Sequence, residues 1–253
     1  MRKIYLTAAV ICLLLSAYFV YRSLPSVAPE KPTRVKEATK AVEDYAEQTP
    51  SPEIGYSSPI DFAALEEMNE DIYAWLYIPG TEINHPILQS VRGDNDYYLT
   101  HTVDHKEDEN GCLFTEYLYS DKTFDIPVTV IYGHRSRAGD MFGSLQTLYA
   151  VTGSLAQYPE IIVYLPDKEL HYQVFAESEF SDMHIPNHYG RFHDADDLPR
   201  FIDELKHYHT MTKQFDESIE ITRNDQILIL STCLAQNDDR RFLVLAKLIE
   251  TIS

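Results

Sequence analysis

Apolar and polar positions are patterned in two different ways along this chain. In 61–72, "DFAALEEMNEDI", Phe62, Leu65 and Met68 recur at helical spacing, and in 194–209, "DADDLPRFIDELKHYH", Leu198, Phe201, Ile202, Leu205 and Tyr208 form one stripe. Both patterns fit helices that bury a single face. Elsewhere the apolar residues come in short runs rich in β-branched and aromatic side chains, at 74–78, 83–88, 128–132, 161–165, 171–176, 219–221, 227–232 and 242–249. Runs of that length and composition read as strands. Eight strands and few helices predict a mainly β fold with some α, either a barrel or a sandwich. No internal repeat interrupts this order.

The first sixty residues follow another pattern. After Met1-Arg2-Lys3, residues 4–21 are eighteen uncharged positions, which as a helix span about 27 Å and just cross a bilayer. Residues 1–22 are therefore predicted to be an uncleaved signal anchor. Ser26-Val27-Ala28 has the small-x-small form of a cleavage site, but Pro29 would follow the cut and oppose it. Basic residues stand on both sides of the run, Arg2 and Lys3 before it and Arg22, Lys31, Arg34 and Lys36 after it. Their count does not set orientation, whereas the short charged N-terminus predicts that the chain beyond the anchor is extracytoplasmic. Residues 23–59 hold six of the thirteen prolines and read as a linker. Within it 35–48, "VKEATKAVEDYAEQ", has no Gly or Pro and predicts a helix that either packs on the domain or spaces it from the membrane. The folded domain is assigned to 60–253.

Composition narrows the function. With 21 Lys and Arg against 40 Asp and Glu, the formal charge is -19, and repulsion from polyanions excludes nucleic acid as a partner. Of three cysteines, Cys12 lies in the apolar leader, leaving Cys112 and Cys233 for the domain. Two cysteines make no disulfide framework, so outside the cell they form one disulfide, remain buried thiols, or do chemistry.

The stretch 227–234, "ILILSTCL", ends a strand-like run on Cys233. A cysteine becomes a strong nucleophile beside a cation or a histidine base. Most of the ten histidines sit in polar stretches such as "HYH" at 207–209, but His134 ends "VTVIYGH", where a strand gives way to a loop. Arg241, eight residues after Cys233, opens the run "RFLVLAKLI" beyond a polar loop, 234–240. Two antiparallel strands joined by that loop would set thiol and guanidinium side by side, and a planar guanidinium holds an oxyanion in a fixed fork. Arg240 competes for the role; after Asp238 and Asp239 it is expected to pair with them in water.

The segments "DIYAWLYIPGTEINHPILQ", "DNDYYLTH", "VIYGHRSRAGDMFGSL" and "LSTCLAQNDDRRFLVLAKLI", in this order from about Asp71 to Ile249, resemble the class B sortases of Gram-positive bacteria. The resemblance implies an eight-stranded sortase β-barrel with N-terminal helices and a longer helix, near 194–208, ahead of the strand bearing the cysteine. It implies a cysteine transpeptidase without a cofactor or metal. Cys233 would attack the Thr carbonyl of a C-terminal sorting motif, His134 would be the acid and base, and Arg241 the oxyanion and substrate anchor. Arg241, directly before the final apolar strand, matches the family's arginine. Asn95, Leu99, Tyr132 and Ser231 match residues that line the peptide groove of similar enzymes. The implied partners are a surface protein or pilin carrying the sorting signal, and a peptidoglycan precursor or pilin lysine as acceptor amine. The Asp-Pro-aromatic lid of class C pilin polymerases is absent from the sequence. Some class B-like enzymes polymerise pilins, however, so both wall anchoring and pilus polymerisation stay open. Cys112, in "NGCLFTEY", is expected to be buried and inert.

Two rival readings fit less well. A papain-like protease places Cys before His, whereas His134 precedes Cys233 by 99 positions. A metal surface site at His184, His188 and His193 of "HIPNHYGRFH" matches no ligand spacing such as H-E-x-x-H.

Overall fold

The computed structural model describes residues 30–47, 56–91, 93–136, 139–235 and 237–253; the 4–21 run lies outside them. Nine strands occur in the order β1 (Ile72–Tyr77), β2 (Asn84–Leu88), β3 (Leu113–Phe114), β4 (Val128–Tyr132), β5 (Glu160–Tyr164), β6 (Glu169–Ser181), β7 (Lys213–Phe215), β8 (Ile227–Leu234) and β9 (Asn237–Ile252). Eight of them close a ring, β5-β1-β2-β3-β4-β8-β9-β6 and back to β5, and β7 adds to the outer part of β6. The fold is thus an eight-stranded closed β-barrel with a few helices, and not a sandwich. Closure leaves every long strand paired on both edges. The β2–β3 and β4–β8 pairs are parallel and the rest antiparallel.

The strand pleat sorts the side chains into three apolar layers. Leu76, Ile131, Val163, Leu228, Leu230, Phe242 and Val244 fill the lumen. Val130, Ile229, Leu243 and Leu245 point outward instead, under Phe201 and Leu205 of the long helix α6 (Asp197–His207). That helix bears the stripe read from the sequence, with Pro199 in its first turn, where proline is tolerated. A second outer layer joins Trp75, Tyr77 and Tyr164 to α1 (Thr33–Ala46) and α2 (Phe62–Met68).

Helix α1 packs on the barrel and does not merely space it: Val35, Ala38 and Val42 are buried against that layer. Buried Asn84 ties it down. Its side chain accepts from Trp75 Nε1 at 2.6 Å and donates to the Thr39 carbonyl at 3.1 Å. Asp61 caps α2 by accepting from the Ala64 N–H at 3.0 Å.

Some sequence expectations are corrected. Residues 219–221 form no strand; they are turn and coil packed beside the α6 layer. Strands β3 and β7 have two and three residues, too short to leave a pattern. Short helices α3 (Leu145–Tyr149), α4 (Ser154–Gln157) and α5 (Ile185–His188) stand in stretches to which the sequence pattern assigns no element.

Burying Val35, Ala38 and Val42 contributes roughly 4 kcal/mol by apolar transfer. A chain beginning at Glu30 is expected to melt like the full folded unit. One beginning at Pro59 exposes Trp75 and Tyr164 and should melt roughly 10 °C lower, as read by calorimetry. Equal melting temperatures would show that α1 adds nothing to the barrel.

Candidate active site

Strand β8 is the axis of the site. Its even-numbered residues Leu228 and Leu230 face the lumen, so Ser231 and Cys233 take the outward side with Ile227 and Ile229. On one edge β8 pairs in parallel with β4, Tyr132 lying opposite Ser231. The ladder ends there, and His134, two residues beyond Tyr132, lines the same cavity as Cys233. On the other edge Cys233 lies directly opposite Arg241 of β9.

Gly133 allows β4 to end where it does. A Cβ there would run into Leu113 and Phe142, so only glycine lets the strand approach them before presenting His134. The Gly133 N–H still reaches the Ser231 carbonyl at 3.2 Å, and the His134 carbonyl accepts from Phe142 N–H at 3.1 Å. Backbone bonds on both sides of the histidine fix its position on the strand end.

The two arginines separate by the pleat. Arg241 shares a cavity of about 300 Å³ with Cys233 and His134. Arg240 points the other way, with its guanidinium 3.3 Å from the buried Glu179 carboxylate and 5.3 Å over the Tyr208 ring. Its ion-pair partner is therefore Glu179. The polar loop expected at 234–240 is also shorter than the sequence suggests. Strand β9 starts at Asn237, opposite Leu234, and three extra residues on β9 bulge out before Arg241 meets Cys233.

Of the expected groove residues, Leu99, Tyr132 and Ser231 line the cavity. Leu99 ends a short 3-10 turn, Tyr97–Leu99, anchored by buried Tyr98, whose hydroxyl donates to Asp71 at 2.6 Å. Asn95 is not among the lining residues. Its side-chain oxygen accepts from Leu118 N–H at 3.3 Å, and its neighbour Asp96 lines the cavity instead. The remaining wall comes from Phe114 at the end of β3 and Glu116 beyond it, and from Asp182, Met183, His184 and Ile185 after β6. These were missed as cavity residues because they sit on loops joined only by the fold. Pro186 at the start of "HIPNH" was a usable sign that a helix begins there.

Burial raises the Glu116 carboxyl, an effect that the His184 ring opposes. The Tyr132 hydroxyl is buried beside Glu116, and burial and that carboxylate push it well above the usual phenol range, while Arg241 pulls the other way. Both cysteines are free. Cys112 is 4% exposed and burial pushes its thiol up, which keeps it protonated, whereas Cys233 is partly open to the cavity. Among the described residues no three His, Cys, Asp or Glu side chains gather to hold a metal. His184 and His188 are engaged instead with Glu116 and with the ring of Tyr189.

A partly exposed thiol, a strand-end imidazole and a guanidinium opposite the thiol can perform acyl transfer through a thioester. Comparison with known proteins agrees. The sortase domain family matches residues 76–249. Sortase B of Listeria monocytogenes is 30% identical over 175 residues, 69% of this chain and 67% of that protein. Sortase B of Staphylococcus aureus is 27% identical over 192 residues, 75% of each chain. The solved Staphylococcus aureus sortase B–substrate complex superposes with a TM-score of 0.65 at 25% identity, covering 85% of this chain and 94% of that one. Fold, site and family match converge on one assignment: this chain belongs to the sortase family, within class B, and is a cysteine transpeptidase.

Proposed function

We propose that the chain cleaves a C-terminal sorting motif after Thr and transfers the new carboxyl end to an amine, attaching surface proteins to the cell wall from an anchor at residues 4–21. The observation that carries this reading is the register that sets Arg241 opposite Cys233, with His134, just past the end of the neighbouring strand, lining the same cavity. In this reading the Cys233 sulfur attacks the Thr carbonyl carbon and electrons move onto the oxygen, where the Arg241 fork meets the developing charge. As the tetrahedral intermediate collapses, the C–N bond breaks and His134 gives a proton to the leaving amine. The acceptor amine then attacks the thioester, gives its proton to His134, and expels Cys233. A solved relative bears the description "substrate complex", which supports an open groove of this kind. The extracytoplasmic placement rests on the eighteen uncharged residues at 4–21.

Iodoacetamide should alkylate Cys233 in the chain from Glu30 and leave Cys112 untouched. Cys233→Ala should lose both labelling and transpeptidation, and Cys112→Ala should keep both; the reverse outcome would transfer the nucleophile to Cys112.

Removing an oxyanion donor costs about a hundredfold to a thousandfold in rate. Arg241→Ala and Arg241→Lys should therefore lose most of single-turnover acylation, because a lysine lacks the planar fork. Arg240→Ala should slow acylation less than about tenfold but lower stability by about 1 to 2 kcal/mol, since it removes the cation paired with buried Glu179, which among the described residues keeps only the Thr212 hydroxyl. An acylation defect in Arg240→Ala as large as that of Arg241→Ala would move the role.

The full-length chain should fractionate with membranes. A mature N-terminus at Pro29 in native material would remove the anchor from the proposal.

A further inference from the structure

Two cavity residues have no part in the chemistry above, and they touch each other. Glu116 follows β3 and its side chain is only 8% exposed; His184 follows β6, 68 residues later. The His184 ring is held through both nitrogens. Nδ1 accepts the Asn187 N–H at 3.2 Å and so caps α5. A neutral imidazole that accepts through one nitrogen carries its proton on the other, so Nε2 donates to Glu116 Oε2, 2.7 Å away. The ring cannot turn without losing both bonds.

A second contact joins the same two segments. Tyr119, whose N–H bonds the Glu116 carbonyl at 3.0 Å, packs its ring 4.6 Å from that of His184, and the Arg191 guanidinium lies 4.9 Å from the centre of the Tyr119 ring. The segment after β3 is thus fastened to the segment after β6 twice, by a hydrogen-bonded acid–base pair and by a tilted contact of two rings. Both segments line the cavity, Phe114 and Glu116 from the first and Met183, His184 and Ile185 from the second, together with Cys233 and Arg241. Taking a donor away from a buried carboxyl is costly, so Glu116 favours the arrangement in which His184 stays put.

We infer that His184 and Glu116 are positioning residues: their contact clasps the two walls at the spacing that accepts a sorting peptide over Cys233. This rests on the transpeptidase reading above. The clasp acts on peptide binding and not on bond breaking, because neither group is assigned to the reacting atoms.

The test compares kcat and KM of the chain from Glu30 on fluorogenic peptides carrying Thr at the scissile bond, alongside Cys233 alkylation and thermal melting. Glu116→Ala and His184→Ala should each raise KM about tenfold with kcat within about threefold. The double variant should be no worse than either single one, since both remove one contact. His184→Asn keeps an N-cap but is too short to reach Glu116, so its KM should rise like that of His184→Ala. Glu116→Gln still accepts from Nε2 and should stay within about threefold of wild type. A merely structural role predicts lower melting temperatures with KM unmoved and a wild-type KM for His184→Asn, and either KM result would overturn the clasp. Wild-type protein that alkylates normally yet cleaves no such peptide would sink the transpeptidase reading and the clasp with it. Wild-type turnover with KM unmoved in the variants would sink the clasp alone.

Discussion

The register of β8 between its two neighbours is the constraint on which the site depends. Cys233 faces Arg241 because β8 and β9 pair antiparallel with that register, and it shares a cavity with His134 because β4 and β8 pair in parallel up to Tyr132 opposite Ser231. A slip of one residue would turn Cys233 into the lumen and bring Arg240 forward. Alternation of polarity alone cannot prevent such a slip, since Ile227 to Leu230 and Phe242 to Ala246 are buried on both faces. Closure of the barrel does. Strand β9 is also paired along nearly its whole length with β6, from Glu169 opposite Ile252 to Ser181 opposite Arg240, so moving it would break two ladders at once.

The outer layers complete what the barrel begins. One is built by α1 and α2 over Trp75 and Tyr164, the other by α5 and α6 over Phe175 and Leu243. The cavity lies on the seam between them: Phe114 belongs to the first layer and Ile185 to the second, with Tyr132 packed against both. A groove at such a seam needs no pit in the barrel wall, and its width follows from how the two layers are joined. The same geometry explains the different fates of two thiols. Cys112 is sealed beneath the first layer and stays protonated, while Cys233 opens on the seam beside a guanidinium.

Much of this was legible in the chain. The α6 stripe follows from the period that burial on one face leaves, while the runs that become β1, β2, β4, β5 and β8, and the strand-end setting of His134 and Cys233, follow from short apolar runs rich in β-branched and aromatic residues. Strand β6 was read only as 171–176 because most of its thirteen residues are buried whichever way they point. Strands β3 and β7 are held by neighbours rather than by their own composition.

What the sequence by itself determined is therefore the element types, the mainly β class, and the residue types able to do thiol chemistry. Side-chain direction within a strand, burial of an apolar stripe and the closeness of thiol to guanidinium across a hairpin are short-range consequences of covalent geometry. Only the tertiary structure decided that Arg240 pairs with Glu179, that α1 joins the folded body, that Asp96 and not Asn95 lines the cavity, and that Glu116 meets His184 across 68 residues. Those pairings depend on where closed strands and packed helices leave their loops, and no local pattern carries that information, because it is the sum of every register and crossing angle in between.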